Sequence, residues 1–166
     1  MTEAQVLYAN VASNIVALLV LLACWRWRQV GRLLFFALFL WAAQTNMRIA
    51  LSAPAAYLEY ARWAIPPYRR FILGPFARHT ATIVAAIALG QLAIALFVTW
   101  RGRAVQLGLA GAIAFLLAIA PLGRGSAFPF SLIVSFAALL LMRPAFPRPL
   151  WAEIAARIRR RRRVTP

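Results

Sequence analysis

Polar side chains near the ends and centres of apolar segments are the residues in this sequence best suited to bind a ligand. Gln44, Thr45, Asn46 and Arg48 place four polar groups within five residues, and Gln91 lies near the middle of another apolar run. An amide or a charge at membrane depth must find a polar partner. These positions therefore predict either hydrogen bonds between helices or a ligand site.

The connection of residues 51–79 supplies the other charged candidates. Guanidinium groups bind anionic headgroups, and a histidine can protonate near neutral pH or donate to a quinone oxygen. One interpretation is a single pocket whose arginines bind a quinone, a lipid headgroup or an acidic partner subunit. The other is structural, with Gln91 bonded to a facing helix and arginines anchoring span ends. The candidate set is Asn46, Arg48, Glu59, Arg62, Arg69, Arg70, Arg78, His79 and Gln91.

The content of metal-binding residues argues against metal chemistry. The chain has one histidine, one cysteine and three carboxylates. Haem, zinc and di-iron centres need more ligands of these types. We therefore expect no resident metal and no catalytic constellation, and the only cofactor that this composition suggests is a quinone.

Composition identifies the environment of these residues. The chain of 166 residues has 19 basic side chains, all arginine, against 3 acidic ones, a formal charge of +16. It is also 64% hydrophobic, with a mean hydropathy of +0.76. Soluble domains are about 45–50% apolar, so these values indicate a multi-pass membrane protein with little room for a soluble catalytic domain.

The predicted fold is all-α, an integral membrane bundle of five spans. The bundle occupies residues 1–143, and residues 51–79 lie on its outer face with an interfacial helix over 55–65. A Pro-rich linker and an Arg-rich cytoplasmic tail follow over 144–166. Within the fifth span, Pro129 is expected in the first helical turn, where proline is tolerated. The predicted spans are 6–25, 33–50, 80–100, 104–122 and 127–142.

Arginine placement predicts the orientation. With the N-terminus outside, thirteen arginines fall on the inner side of a five-span chain and six on the outer side. The positive-inside rule then favours N-out and C-in, in a bacterial cytoplasmic membrane. A four-span alternative, in which 127–142 does not cross, places the arginine-rich tail outside.

The tail predicts a contact with lipid. Leu150, Ile154 and Ile158 recur every four residues, which is typical of a short amphipathic helix at a membrane surface. An RNA-binding arm is the alternative, but a basic run after a last span more often holds anionic lipid, so we expect no nucleic acid. The predicted anionic-lipid contacts are Arg159, Arg160, Arg161, Arg162 and Arg163.

From the second span onward, the order of parts resembles that of the DoxX-like small bacterial membrane proteins. The corresponding parts are span 33–50, the outer connection 51–79, span 80–100 ending in Arg101-Gly102-Arg103, and two closely spaced final spans. An acidic residue frequent at the start of the family's second helix is absent. In this resemblance the span 6–25 is an added N-terminal helix. The resemblance implies a membrane protein of a kind sometimes associated with quinone-linked oxidation, and no catalytic residue is carried over.

Two functional hypotheses follow from these observations. The first is a non-catalytic accessory or assembly subunit that docks on a larger membrane complex or on further copies of itself. The second is a quinone- or lipid-binding, redox-associated protein of DoxX-like type. A transporter or channel is less favoured, because the spans lack a series of charged groups marking a path through the bundle.

Overall fold

The computed structural model describes the backbone of residues 3–142 and 146–162, and the side chains of residues 7–142 and 146–159. Throughout these residues the elements are helical and none is a strand. The all-α prediction is confirmed. The α-helices are α1 (Glu3–Arg26), α2 (Arg28–Ser52), α3 (Pro66–Phe71), α4 (Thr80–Thr99), α5 (Arg103–Ile119), α6 (Phe130–Met142) and α7 (Leu150–Arg162).

Four helical segments are long and apolar enough to cross a membrane. They are Leu7–Arg26, Arg28–Ser52, Thr80–Thr99 and Arg103–Ser126, the last of which includes a 3-10 extension of α5 over Ala120–Ser126. At about 1.5 Å per residue, segments of this length reach the roughly 30 Å of a hydrocarbon core. These segments identify the chain as a multi-pass membrane protein. The apolar helix α6 has 13 residues and is shorter than the other four.

A single residue separates α1 from α2. Trp27 leaves helical geometry, with φ −139° and ψ 79°, and the chain turns sharply there. A Cβ at Gly31 would lie 2.7 Å from Sγ of Cys24 and 3.0 Å from its Cα. The two helices therefore approach at a point where only glycine fits.

The bundle buries two clusters of apolar side chains. The larger cluster joins α1, α2, α4, α5 and α6, and includes Phe35, Phe39, Leu109 and Val134. The smaller one lies where the connection 51–79 meets α2 and α4, around Ile72 and other side chains. Helix α2 packs along α4, while α6 packs against both α1 and α5.

Hydrogen bonds define the two ends of the bundle. At one end, the amide of Gly102 donates to the carbonyl oxygen of Phe146 at 2.8 Å, beside the α1–α2 turn. At the other, the amide of Ile65 donates to Pro121 at 3.1 Å. We refer to them as the Phe146 end and the Trp63 end. The Trp63 end includes the first residues of α1, residues 52–79 and residues 120–130.

The connection at the Trp63 end differs in detail from the predicted interfacial helix over 55–65. A 3-10 helix occupies Pro54–Arg62, and Pro66 opens the short helix α3. Proline suits the first helical position because its missing N–H has no acceptor there. A π-helical turn follows over Ile72–Phe76, where Gly74 leaves helical geometry.

Pro129 also lies outside the helix in which the sequence placed it. A cis peptide bond joins Phe128 to Pro129, Ala127 is left-handed at φ 54°, and α6 starts at Phe130. The predicted first turn of the fifth span is therefore part of the loop. Proline is compatible with both positions, so its presence alone did not distinguish them.

Candidate functional site

Gln91 and Asn46 form a polar contact between two apolar helices. Nδ2 of Asn46 donates to Oε1 of Gln91 at 2.8 Å, and the hydroxyl of Tyr57 donates to Oδ1 of Asn46 at 2.5 Å. Gln91 is 2% exposed. This chain of bonds links α4, α2 and the 3-10 helix Pro54–Arg62, and it supplies the polar partner that a buried amide requires.

The tyrosines next to this contact are desolvated. Burial raises the pKa of Tyr57 to about 12, and the neighbouring Tyr60 adds to the increase. Burial also raises the pKa of Tyr60. Their rings lie 5.7 Å apart. Both phenols remain protonated at neutral pH, so the hydroxyl of Tyr57 serves as a donor.

The other predicted ligand-binding residues are exposed. The structure joins two of the nine candidates by a hydrogen bond, and the remaining seven have exposed side chains that donate to neither Asn46 nor Gln91. Glu59 forms no ion pair with the side chains that the structure describes. The exposed candidates are Arg48, Glu59, Arg62, Arg69, Arg70, Arg78 and His79.

At the Trp63 end, the ring of Trp63 contacts the guanidinium groups of two arginines. The guanidinium carbons of Arg62 and Arg124 lie 5.2 and 5.5 Å from the centre of its ring, within the range of cation–π attraction. The hydroxyl of Tyr68 donates to the carbonyl oxygen of Ala118 at 2.9 Å. These contacts hold the connection 51–79 against the loop between α5 and α6.

A shallow groove lies beside α3. It has a volume of about 420 Å³ and is lined by Ala64, Pro66, Arg69, Arg70 and Leu73, which we call the Arg69 groove. Two guanidinium groups above an apolar floor suit an amphipathic ligand with an anionic headgroup. Asn46 and Gln91 do not line it.

The sequence interpretation missed a second set of amides at the Trp63 end. Nδ2 of Asn14 donates to the carbonyl oxygens of Asn10 and Ala127 at 2.9 and 3.2 Å, which joins α1 to the loop before α6. Two asparagines four residues apart in an apolar run were the available signal. Oδ1 of Asn14 and Oγ of Ser131 are buried without a partner.

Arg32 is the other residue whose role the sequence did not reveal. It is completely buried, its Nε donates to the carbonyl oxygen of Val98 at 2.9 Å, and its Nη2 donates to that of Trp100 at 2.6 Å. Its guanidinium carbon lies 4.4 Å from the ring centre of Phe146. From the sequence, Arg32 is only one of the thirteen arginines predicted on the inner side of the membrane.

The predicted lipid-binding tail is partly described. Helix α7 extends to Arg162, and the side chain of Arg159 is exposed. The side chains of residues 160–163 lie outside the described residues. Among the residues that are described, no group of three or more histidine, cysteine or acidic side chains is placed to hold a metal ion.

Comparison with known proteins yields no relative from which to transfer a function. No protein-family model, curated protein or solved structure matches the chain.

Proposed function

We propose that this chain is a non-catalytic accessory or assembly subunit of a larger complex in a bacterial cytoplasmic membrane. It crosses the membrane five times, with its N-terminus outside and its C-terminus inside. The observation that carries the docking role is an exposed face of small residues on α4. The topology is supported by the two sets of contacts at opposite ends of the bundle.

Contacts between the helix ends fall alternately at the Phe146 end and the Trp63 end along the chain, as expected for five crossings of a membrane. Residues around Arg32, Trp100 and Phe146 meet at one end. Asn10 meets Phe128, and Ile65 meets Pro121, at the other. In this arrangement α6 runs between the same two ends as α5, and its 13 residues extend about 20 Å. The Phe146 end then carries those predicted inner arginines whose side chains the structure describes, and it faces the cytoplasm.

The exposed face of α4 suits close helix packing. Thr82, Ala86 and Gly90 recur every four residues, and all three are exposed. A Cβ at Gly90 would have no atom within 4 Å, so the backbone there is open. In membranes, small residues at this spacing let two helices approach closely, and van der Waals packing then stabilises their association. A helix of a partner subunit is the occupant that fits this face.

Purification from native membranes in mild detergent tests this role. We expect the wild-type chain to recover a membrane partner in constant ratio and Gly90→Leu to lose it, because the leucine side chain holds the two backbones apart. Ala37→Leu is the matched control, since Ala37 is also exposed but lies on α2. Recovery of the wild-type chain only as a monomer would count against the proposal, and recovery only as copies of itself would replace the larger complex by a homo-oligomer.

The Arg69 groove favours a second candidate function, a quinone- or lipid-binding protein of DoxX-like type. The groove supports the lipid arm of this proposal through its two guanidinium groups and apolar floor. Extraction of the purified protein would then yield anionic lipid or quinone. Replacement of Arg69 and Arg70 by glutamine should lower that amount, whereas Arg78→Gln, outside the groove, should not. His79→Ala and Arg48→Ala test the quinone arm, and unchanged occupancy in all of these variants would contradict the candidate.

A further inference from the structure

A second groove lies at the opposite, Phe146 end of the bundle. It has a volume of about 520 Å³ and opens between the α1–α2 turn and helix α7. Three arginines from three helices line it, Arg26, Arg28 and Arg157, together with Glu153. We call it the Phe146 groove. Three guanidinium groups against one carboxylate give it a positive charge.

The groove is located where a lipid headgroup would lie. Trp25 and Trp27 line it, at the end of the apolar segment Leu7–Arg26, and their side chains are 75% and 52% exposed. Tryptophans concentrate at the level of the headgroups, where their rings contact both apolar and polar surroundings. The groove is therefore at the membrane–water boundary.

Aromatic rings contact two of the three arginines in the groove before any ligand arrives. The guanidinium carbon of Arg28 lies 4.6 Å from the ring centre of Phe146, and that of Arg26 lies 5.8 Å from the ring centre of Trp27. Phe146 is 1% exposed, and its carbonyl oxygen accepts the amide of Gly102. A fixed aromatic ring reduces the entropy that Arg28 loses on binding.

The start of α2 adds backbone donors to the same groove. Arg28 and Gln29 line it and belong to the first turn of a 25-residue helix. The amides of a first turn have no acceptor within the helix, and no side chain caps this one. The positive end of the helix dipole favours an anion at this point.

We propose that the Phe146 groove binds the phosphate group of an anionic phospholipid. The guanidinium groups of Arg26, Arg28 and Arg157 contact the phosphate, the first-turn amides of α2 donate to it, and the two exposed tryptophans lie along the glycerol and upper acyl chains. Glu153 opposes the anion and weakens binding. The site is separate from the Arg69 groove, which lies at the other end of the bundle.

Native mass spectrometry of the full-length chain in zwitterionic detergent measures this binding directly. The probes are phosphatidylglycerol and phosphatidylcholine, each added alone, and phosphatidylglycerol added together with inorganic phosphate. We expect one phosphatidylglycerol to be retained in preference to phosphatidylcholine, and inorganic phosphate to compete only weakly. The double variant Arg26→Gln, Arg28→Gln should weaken phosphatidylglycerol binding by about 25-fold, from about fivefold for each arginine.

Two further variants make the test specific. Arg101→Gln combined with Arg103→Gln removes the same charge from exposed positions at the same end, outside the groove, and should change binding by no more than about twofold. Glu153→Gln should strengthen it by up to about fivefold. Three outcomes would each overturn the proposal. They are equal binding of the two lipids, competition by inorganic phosphate as strong as that by phosphatidylglycerol itself, and the same loss of lipid binding in both double variants. These outcomes are independent of partner recovery with Gly90→Leu.

Discussion

Nη2 of Arg32 donates to the carbonyl oxygen of Trp100 at 2.6 Å, so a side chain of α2 satisfies the C-terminal end of α4. The last carbonyls of a helix have no donor within it. A cation is favourable there, because this is the negative end of the helix dipole. The same guanidinium contacts the ring of Phe146, which joins α2, α4 and the segment before α7 at one buried charge.

Removal of this charge should destabilise the bundle. We expect Arg32→Met to lower the free energy of unfolding by about 2–4 kcal/mol, because three hydrogen bonds of the guanidinium are lost, two of them to backbone carbonyl oxygens and one to the side chain of Gln29. Arg32→Lys should be intermediate, since an ammonium group lacks the planar fork that reaches Val98 and Trp100 together. Denaturant unfolding in detergent, followed by circular dichroism, measures both variants.

The control for Arg32 is Arg103→Met, which changes an exposed arginine at the same end of the bundle. It should alter the free energy of unfolding by less than about 0.5 kcal/mol. If Arg32→Met were no more destabilising than Arg103→Met, the buried hydrogen bonds would not contribute net stability.

A double-mutant cycle can measure the contact between Asn46 and Gln91. We expect a coupling free energy of about 0.6–1.7 kcal/mol from the variants Asn46→Leu and Gln91→Leu, as for other hydrogen bonds between membrane helices. Asn46→Leu should be the more destabilising single change, because it also removes the acceptor of Tyr57. Gln44→Leu is the control, since Gln44 is exposed on the same helix. A coupling of zero would show that the contact is energetically neutral.

The sequence predicts the position of a helix well where a long apolar run determines it. Runs of about 20 apolar residues have to be helical in a membrane, so the four long helices were predictable. The sequence also predicts that Gln91 has a hydrogen-bond partner on a facing helix, because a buried amide requires a polar partner. The identity of this partner is not predictable, since it depends on the rotation of α2 against α4.

The less predictable features depend on close tertiary contacts. Arg32 is five residues from the turn at Trp27, and its burial follows from how sharply the chain turns there, which the placement of Gly31 against Cys24 sets. Tyr57, Leu58, Ala61 and Ile65 recur at an α-helical spacing, but the segment forms a 3-10 helix. Ile65 is exposed and extended instead of continuing the apolar face. The spacing of apolar residues does not show that this segment forms a 3-10 helix instead of an α-helix.

High pH should weaken the structure through Tyr57. Its pKa rises from an ordinary 10.0 to about 12 on burial, so the folded state retains a proton that the unfolded state has lost between these values. The contribution of Tyr57 to the free energy of unfolding is therefore constant below about pH 10 and decreases as the pH rises toward 12. We expect the thermal unfolding midpoint to decrease over this window, and the tyrosinate absorbance of the folded protein to increase late.

Tyr57→Phe separates this contribution from that of other groups. The variant loses the hydrogen bond to Asn46 at all pH values, but its midpoint should decrease less steeply above about pH 10. Equal slopes for wild type and Tyr57→Phe would contradict the assignment. Tyr60 titrates in the same direction, so the slope of Tyr57→Phe should not vanish.

Two glycines with nearly the same backbone conformation allow a test of how the Trp63 end is held. Gly123 has φ 61° and ψ −127°, and Gly102 has φ 58° and ψ −133°. A Cβ at Gly123 would lie 2.8 Å from the carbonyl oxygen of Trp63, whereas one at Gly102 would meet no atom within 4 Å. Alanine therefore imposes similar backbone strain at both positions, of about 1–3 kcal/mol, and a steric clash only at Gly123.

Gly123→Ala should release the connection 51–79 from the loop between α5 and α6, because the clash moves the backbone of Trp63. Trp63 carries the contacts with Arg62 and Arg124, and the neighbouring amide of Ile65 donates to Pro121. We expect faster hydrogen exchange over residues 54–71 in Gly123→Ala and unchanged exchange there in Gly102→Ala. Because Gly102→Ala carries similar backbone strain at the opposite end of the bundle, the pair separates a general loss of stability from a local release of residues 54–71. Equal exchange would mean that other contacts hold this segment to the bundle.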